Sequence, residues 1–198
     1  MMRGVLPASV RGVFAVRIHG RGGQGVVTAA ELLALAAFLE ERHAQAFPSF
    51  GSERTGAPVV SFCRIDDRPI RVREPIMEPD ALIIQDPTLL HQVDVFGGMR
   101  PGGAVLINTG RTPEELGLGD LDFNVLAVPA SELAREHVGR PLPNAALLGG
   151  FAALCGVVSL ESVTTAIRAR FPRKVAEGNA AAAVAAHALV VEGVRHAA

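Results

Sequence analysis

The chain has 198 residues, 49% of them hydrophobic and 20% charged, which is enough to bury the core of one large domain and excludes a disordered chain. A formal net charge of -1 excludes a general nucleic-acid binder, which needs a basic excess to neutralise phosphates. The two cysteines, Cys63 and Cys155, are far apart and have no CxxC neighbour, so this chain alone offers no four-thiolate iron–sulfur cluster or zinc site.

In chain order, residues 1–12 carry no periodic pattern and read as a loose terminus. Arg3 is followed by no apolar h-region, so no signal peptide is expected. Residues 12–19 contain the β-branched and aromatic run Val13, Phe14, Val16 and Ile18, a buried strand. A glycine-rich turn breaks the strand, and residues 26–43 then repeat apolar side chains at helical spacing. Residues 46–57 are dense in Pro, Gly and Ser and are expected to form a loop rather than a second parallel strand. Residues 58–65 and 69–72 read as two strands joined at Asp66-Asp67, a hairpin. Short apolar strands follow at 81–85, 104–108 and 123–128.

Pro141 and Pro143 mark a change of character. Residues 144–154, 160–171 and 175–194 read as three helices, with Ser159 as an N-cap. The apolar stretches 32–39 and 180–191 are shorter than a membrane span and carry or adjoin Glu31, Glu40, His187 and Glu192. A cytoplasmic protein with no membrane role and reduced, core-packed cysteines is expected. The architecture is an α/β fold: a doubly wound, mainly parallel sheet with a glycine-rich first βα turn, a β-hairpin insertion and C-terminal helices. The whole of 1–198 is read as one domain, with 143–198 as its helical portion.

Gly20, Gly22 and Gly25 satisfy G-x-G-x-x-G between a strand and a helix, so Gly20, Arg21, Gly22, Gly23, Gln24 and Gly25 are the candidate ligand-binding residues. Glycines let the backbone approach a phosphate while free N–H groups and the helix dipole attract negative charge. A nicotinamide cofactor also needs an acidic residue at the end of the next strand, and only helix residues Glu40 and Glu41 stand near that spacing. Dinucleotide binding, binding of another phosphate-bearing ligand, and a purely structural turn all remain open. In the segment 47–58, Phe47 and Phe50 stand near Glu53 and Arg54, a composition typical of interfaces. Arg64, Arg68, Arg71 and Arg73 read as a solvated hairpin, or else as a surface for an anionic partner. No histidine pairs with a Cys, Ser or carboxylate at the spacing of a triad or metal site, so no catalytic or metal-ligating residues are assigned. Asp86 and Asn108 follow strand ends and are read first as turn-formers.

The run Arg17-Ile18-His19-Gly20-Arg21-Gly22-Gly23-Gln24-Gly25 resembles the opening of gamma subunits of pyruvate and related 2-oxoacid:ferredoxin (flavodoxin) oxidoreductases. Residues 44–58, Asp66-Asp67-Arg68-Pro69-Ile70-Arg71-Val72, Glu78-Pro79-Asp80 and Gln85-Asp86-Pro87-Thr88-Leu89-Leu90 continue the likeness. Asn144 with Leu147-Leu148-Gly149, and Val158-Ser159-Leu160-Glu161, carry it into the last third. Ser52 and Thr55 depart from the family pattern, which there usually has proline and commonly arginine. The resemblance implies an enzyme that decarboxylates a 2-oxoacid on thiamine diphosphate with Mg2+, passes electrons through [4Fe–4S] clusters to ferredoxin, and delivers the acyl group to coenzyme A. It implies alpha, beta and delta partner subunits that hold those cofactors, and a gamma chain that holds none and is inactive alone. The Phe-Pro-x-Phe-Gly version of the second motif resembles the pyruvate and branched-chain types more than the 2-oxoglutarate type, and pyruvate is the expected substrate. The isolated chain is open to self-association. Two alternatives stand beside this reading: a stand-alone NAD(P)-binding Rossmann-type oxidoreductase, and a non-catalytic scaffold subunit.

Overall fold

A computed structural model describes residues 12–49 and 55–197. Its sheet has six strands, β1 (Phe14–Arg21), β2 (His43–Pro48), β3 (Pro58–Asp66), β4 (Ala81–Ile84), β5 (Ala104–Asn108) and β6 (Asn124–Val128). Their spatial order is β2-β3-β1-β4-β5-β6. β1, β4, β5 and β6 run parallel, whereas β3 is antiparallel to both neighbours. The apolar runs Leu82-Ile83-Ile84 and Val105-Leu106-Ile107 are fully buried, as expected of strands covered on both faces.

The helices are α1 (Val26–Leu39), α2 (Ala130–Val138), α3 (Asn144–Cys155), α4 (Leu160–Arg170) and α5 (Arg173–Ala197). They gather on one face, where Val16, Ile18, Ile83 and Leu106 of the sheet meet Leu33, Leu147, Phe151 and Ala183. The other face is covered by the 3₁₀ helix Pro87–His91 and irregular segments, through Leu89, Val95 and Met99 packed on Leu82, Ile84, Val105 and Ile107. Ser159 caps α4, its hydroxyl accepting from Ser162 N at 3.1 Å. Among the described residues no helix is long and apolar enough to cross a membrane.

Three expectations need correction. Residues 46–48 belong to β2, not to a loop: Ala46 pairs with Cys63 and Phe47 with Phe62. Alanine and glutamine have little β-propensity, and the strand exists because β3 supplies a ladder and α1 a surface for Ala44 and Ala46. The hairpin is therefore β2–β3, one strand earlier than read. Residues 69–72 form no ladder, because both edges of β3 are already taken by β1 and β2. The first helix ends at Leu39, four residues early, where Glu41 turns into the left-handed region at φ 60°. α2 lies in a segment to which the pattern assigned no element.

Candidate functional site

The glycine turn sits at the carboxyl ends of the parallel strands, where open α/β sheets place their ligands. Gly20 is the last residue of β1 on the face toward the helices, and a Cβ there would stand 2.6 Å from Val26 Cγ2 and 3.2 Å from Gln85 Cβ. Gly25 opens α1 with φ 73°, and a Cβ on it would come within 2.5 Å of Asn144 Nδ2, at the start of α3. These two glycines are required by close approach and by backbone conformation. Gly23 differs: at φ 93° it is exposed, and a Cβ on it would meet nothing within 4 Å. The open side of the turn is therefore at Gly23, beside the first amides of α1, a geometry that attracts anions.

Arg21 does not face that opening. Its Nε donates to Asp86 Oδ2 at 3.1 Å, one terminal nitrogen to Gly56 O at 3.0 Å, and the other to Thr88 Oγ1 and Gln92 Oε1, each at 2.7 Å. Gln24 completes the frame, accepting from Arg21 N at 2.8 Å and donating to Asp86 Oδ2 at 3.0 Å. Burial alone would raise the Asp86 carboxyl, but hydrogen bonds from Thr88 and Gln24 and the charge of Arg21 outweigh it and hold Asp86 below the usual carboxylate range. Asp86 is also the N-cap of the 3₁₀ helix, accepting from Thr88 N at 3.0 Å. Asn108 ties β4 to α2: its amide donates to Gln85 O and Ser131 Oγ and accepts from Ser131 N. Asp86 and Asn108 are thus both engaged by the protein's own groups, Asp86 as the N-cap of the 3₁₀ helix and Asn108 as a tie between the sheet and α2.

The two unusual sequence segments meet. Gly22 N donates to Ala57 O at 2.9 Å and Gly56 N to Gly22 O at 3.1 Å, so the end of the second segment is stitched to the glycine turn. Of the candidate interface residues, Phe47 is half-buried, its ring 5.1 Å from that of Phe62 and under the Arg64 guanidinium at 5.2 Å. Phe50, Glu53 and Arg54 lie outside the described residues.

Sequence reasoning missed a second polar cluster, on the face of β1 and β3 away from the helices. Arg17 and Arg64 are buried there; Arg17 donates to Val95 O and Gly97 O, both at 2.8 Å, and Arg64 to Glu74 O. His19 is buried beside Arg17, and desolvation first, then the Arg17 charge, push it down to about 4, so it is neutral at pH 7. The alternation of β1 was the available signal, since Arg17 and His19 share a face opposite Val16 and Ile18. Both cysteines are buried thiols; burial pushes Cys63 up to about 12 and Cys155 upward as well. Among the described residues no group of three His, Cys, Asp or Glu side chains could hold a metal.

A nicotinamide site is not formed in the usual way. The strand beside β1 on that side is the antiparallel β3, and β2 ends at Phe47-Pro48 without a carboxylate for the ribose. What the fold defines is an α/β chain with a mainly parallel sheet and a glycine turn, open at Gly23, at the carboxyl ends of its parallel strands.

The sequence matches the family described as pyruvate ferredoxin/flavodoxin oxidoreductase over residues 15–189, and the chain belongs to that family as a gamma-type subunit. It is 48% identical over 170 residues to the pyruvate/ketoisovalerate oxidoreductases common subunit gamma of Thermococcus litoralis, covering 85% of this chain and 92% of that one. The crystal structure of pyruvate oxidoreductase subunit PORC of Thermotoga maritima aligns with a TM-score of 0.76 at 32% identity, covering 89% of this chain and 96% of the other. The fold also recurs, at 18% identity and a TM-score of 0.69, in the 2-oxoglutarate:ferredoxin oxidoreductase of Magnetococcus marinus, with 2-oxoglutarate, coenzyme A and succinyl-CoA bound. There it matches 90% of this chain but only 31% of the longer polypeptide.

Proposed function

We propose that this chain is the gamma subunit of a thiamine-diphosphate-dependent pyruvate:ferredoxin oxidoreductase, which forms acetyl-CoA and CO2 and reduces ferredoxin, and that its glycine turn receives a phosphate of coenzyme A. The observation that carries the second part is the contrast among the glycines: Gly20 and Gly25 are closed in by Val26, Gln85 and Asn144, while Gly23 opens to solvent beside the N-terminus of α1. The relatives named for pyruvate support the substrate, and a distant neighbour with coenzyme A bound supports the ligand class. In this reading alpha, beta and delta subunits hold thiamine diphosphate, Mg2+ and the [4Fe–4S] clusters. This chain positions coenzyme A and binds its partners. Arg21 contributes by holding the turn, since its guanidinium already pairs with Asp86, and the attraction comes from backbone N–H groups.

The paired variants Gly23→Asp and Gly23→Asn test this. Both place a side chain of similar size at the same left-handed position, and only the first adds a negative charge. In the assembled enzyme Gly23→Asp raises the coenzyme A KM about tenfold or more above Gly23→Asn, the size of one lost charge-assisted contact. Equal KM values for the two variants favour the scaffold subunit, which predicts no dependence on this charge. We further propose that the segment ending at Ala57, with Phe50, Glu53 and Arg54, docks on the larger subunits. Arg54→Glu then leaves the melting temperature of the isolated chain unchanged and lowers recovery of its partners; full recovery refutes this.

A further inference from the structure

The ribbon between β3 and β4 carries charges that nothing among the described residues answers. Residues 67–75, apart from the half-buried Ile70, are exposed and make no backbone ladder, yet the C-terminal end of the ribbon is pinned. Arg64 donates to Glu74 O, Ile76 is buried against Phe62 and Ala15, and Arg100 N donates to Pro79 O at 3.4 Å. Gly98, at φ 72°, lies so close that a Cβ on it would stand 2.0 Å from Met77 O. The ribbon is therefore held in place without satisfying its own outward side chains.

Those side chains are Arg68, Arg71 and Arg73, with Val72 at 50% and Met77 at 72% exposure. None of the three guanidinium groups has a side-chain or carbonyl partner among the described residues. The neighbouring carboxylates are engaged: Asp67 with Arg42, Glu78 and Asp80 with Arg100, and Asp66 with the Arg68 N–H. Glu74 stands beside the buried Arg64. A merely solvated ribbon has no reason to hold two large apolar side chains in water, one between Arg71 and Arg73 and one just beyond them. Arginine and methionine are enriched in the centres of interfaces, and a pinned backbone lowers the ordering cost of binding.

We propose that residues 68–77 form a docking strip for an acidic surface on another subunit of the oxidoreductase. Arg68, Arg71 and Arg73 meet its carboxylates, and Val72 and Met77 seat in an apolar depression between them. The proposal rests on the reading of this chain as a subunit, and it concerns a surface distinct from the glycine turn.

The test uses the full chain, tagged and expressed in its own cells in place of the untagged copy, with the recovered assembly weighed by native mass spectrometry. Arg71→Glu/Arg73→Glu lowers partner recovery by about tenfold or more, and raising the salt mimics part of that loss with the parent chain. The matched reversal Arg140→Glu/Arg170→Glu, on exposed arginines of the helical portion, recovers the assembly as the parent does. Val72→Ser/Met77→Ser removes the apolar contacts without changing charge and also lowers recovery, which keeps the proposal testable if the first variant fails to fold. Parental recovery with both ribbon variants overturns the proposal. Loss of self-association with partners retained also overturns it, making a second copy the occupant. If the parent chain recovers no other subunit, it is the subunit reading that fails.

Discussion

Arg21 and Asp86 show how a conspicuous charge in a ligand-binding motif can be structural. Asp86 holds the Arg21 guanidinium, the Gln24 amide and the first N–H of the 3₁₀ helix at once, with only 14% of its side chain exposed. Asp86→Ala removes all three contacts and leaves Arg21 without its counter-charge, at a cost of about 2–4 kcal/mol measured by urea unfolding. A loss below half a kcal/mol would mean that the turn is held by its backbone bonds to residues 56 and 57. His19 makes a different prediction. Its folded pKa of about 4 lies below the ordinary value near 6.5, so the unfolded chain takes up a proton that the folded chain refuses. Its contribution is complete above pH 6.5 and is lost as pH falls from there toward 4. Between pH 7 and 4.5 the loss is about 2–3 kcal/mol. His19→Gln, which does not titrate, flattens the unfolding free energy over that window; an unchanged slope assigns the pH dependence to other groups. Asp86, held below the carboxylate range, acts in the same direction at lower pH: its contribution is present above the ordinary carboxylate value and is lost as pH falls from there through its folded value.

At the scale of elements, α3 and α5 meet where side chains are smallest. A Cβ on Gly149 would stand 2.0 Å from Ala183 O and 2.6 Å from its Cα, so the backbones touch. Gly149→Ala must separate the helices and destabilises by about 3 kcal/mol or more. Gly193, in the same α5, has nothing nearer than Leu126 Cδ2 at 4.0 Å, so Gly193→Ala gains about 0.5–1 kcal/mol from helix propensity. Opposite signs in parallel thermal melts confirm this packing; two stabilising substitutions contradict it.

The same contrast explains what could be read from the chain. β1, the turn, α1, β4, β5, β6 and the last three helices were legible because each announces itself locally, by apolar runs or helical periodicity. β2 was not, because His43-Ala44-Gln45-Ala46 becomes a strand only through pairing with Asp66-Ile65-Arg64-Cys63. At the site, the glycine spacing was visible but its surroundings were not. Gly56, the pair Gln85-Asp86 and Asn144 come from three distant segments, and only the fold shows that Gly25 is closed while Gly23 is open.

For the whole molecule, one sheet presents two different faces. Helices seal one face into the main core, and the carboxyl ends of its parallel strands carry the turn for which we propose coenzyme A. On the other face, β1 and β3 bury Arg17 and His19, Arg17 bonding to the 95–97 segment, and Arg64, which bonds to the arginine-bearing ribbon. In the proposed reading the chemistry takes place on cofactors held by the partner subunits. The purified chain alone is then expected to be colourless and free of iron, and stoichiometric iron would refute this. The most direct measurement is pyruvate-dependent reduction of methyl viologen, with and without coenzyme A, by the assembly purified through this chain and by the chain stripped from it. The account predicts coenzyme A-dependent reduction by the assembly, none by the stripped chain or by the remaining subunits, and recovery on mixing the two. Full coenzyme A-dependent activity in the subunits without this chain, or turnover by this chain alone, would contradict it.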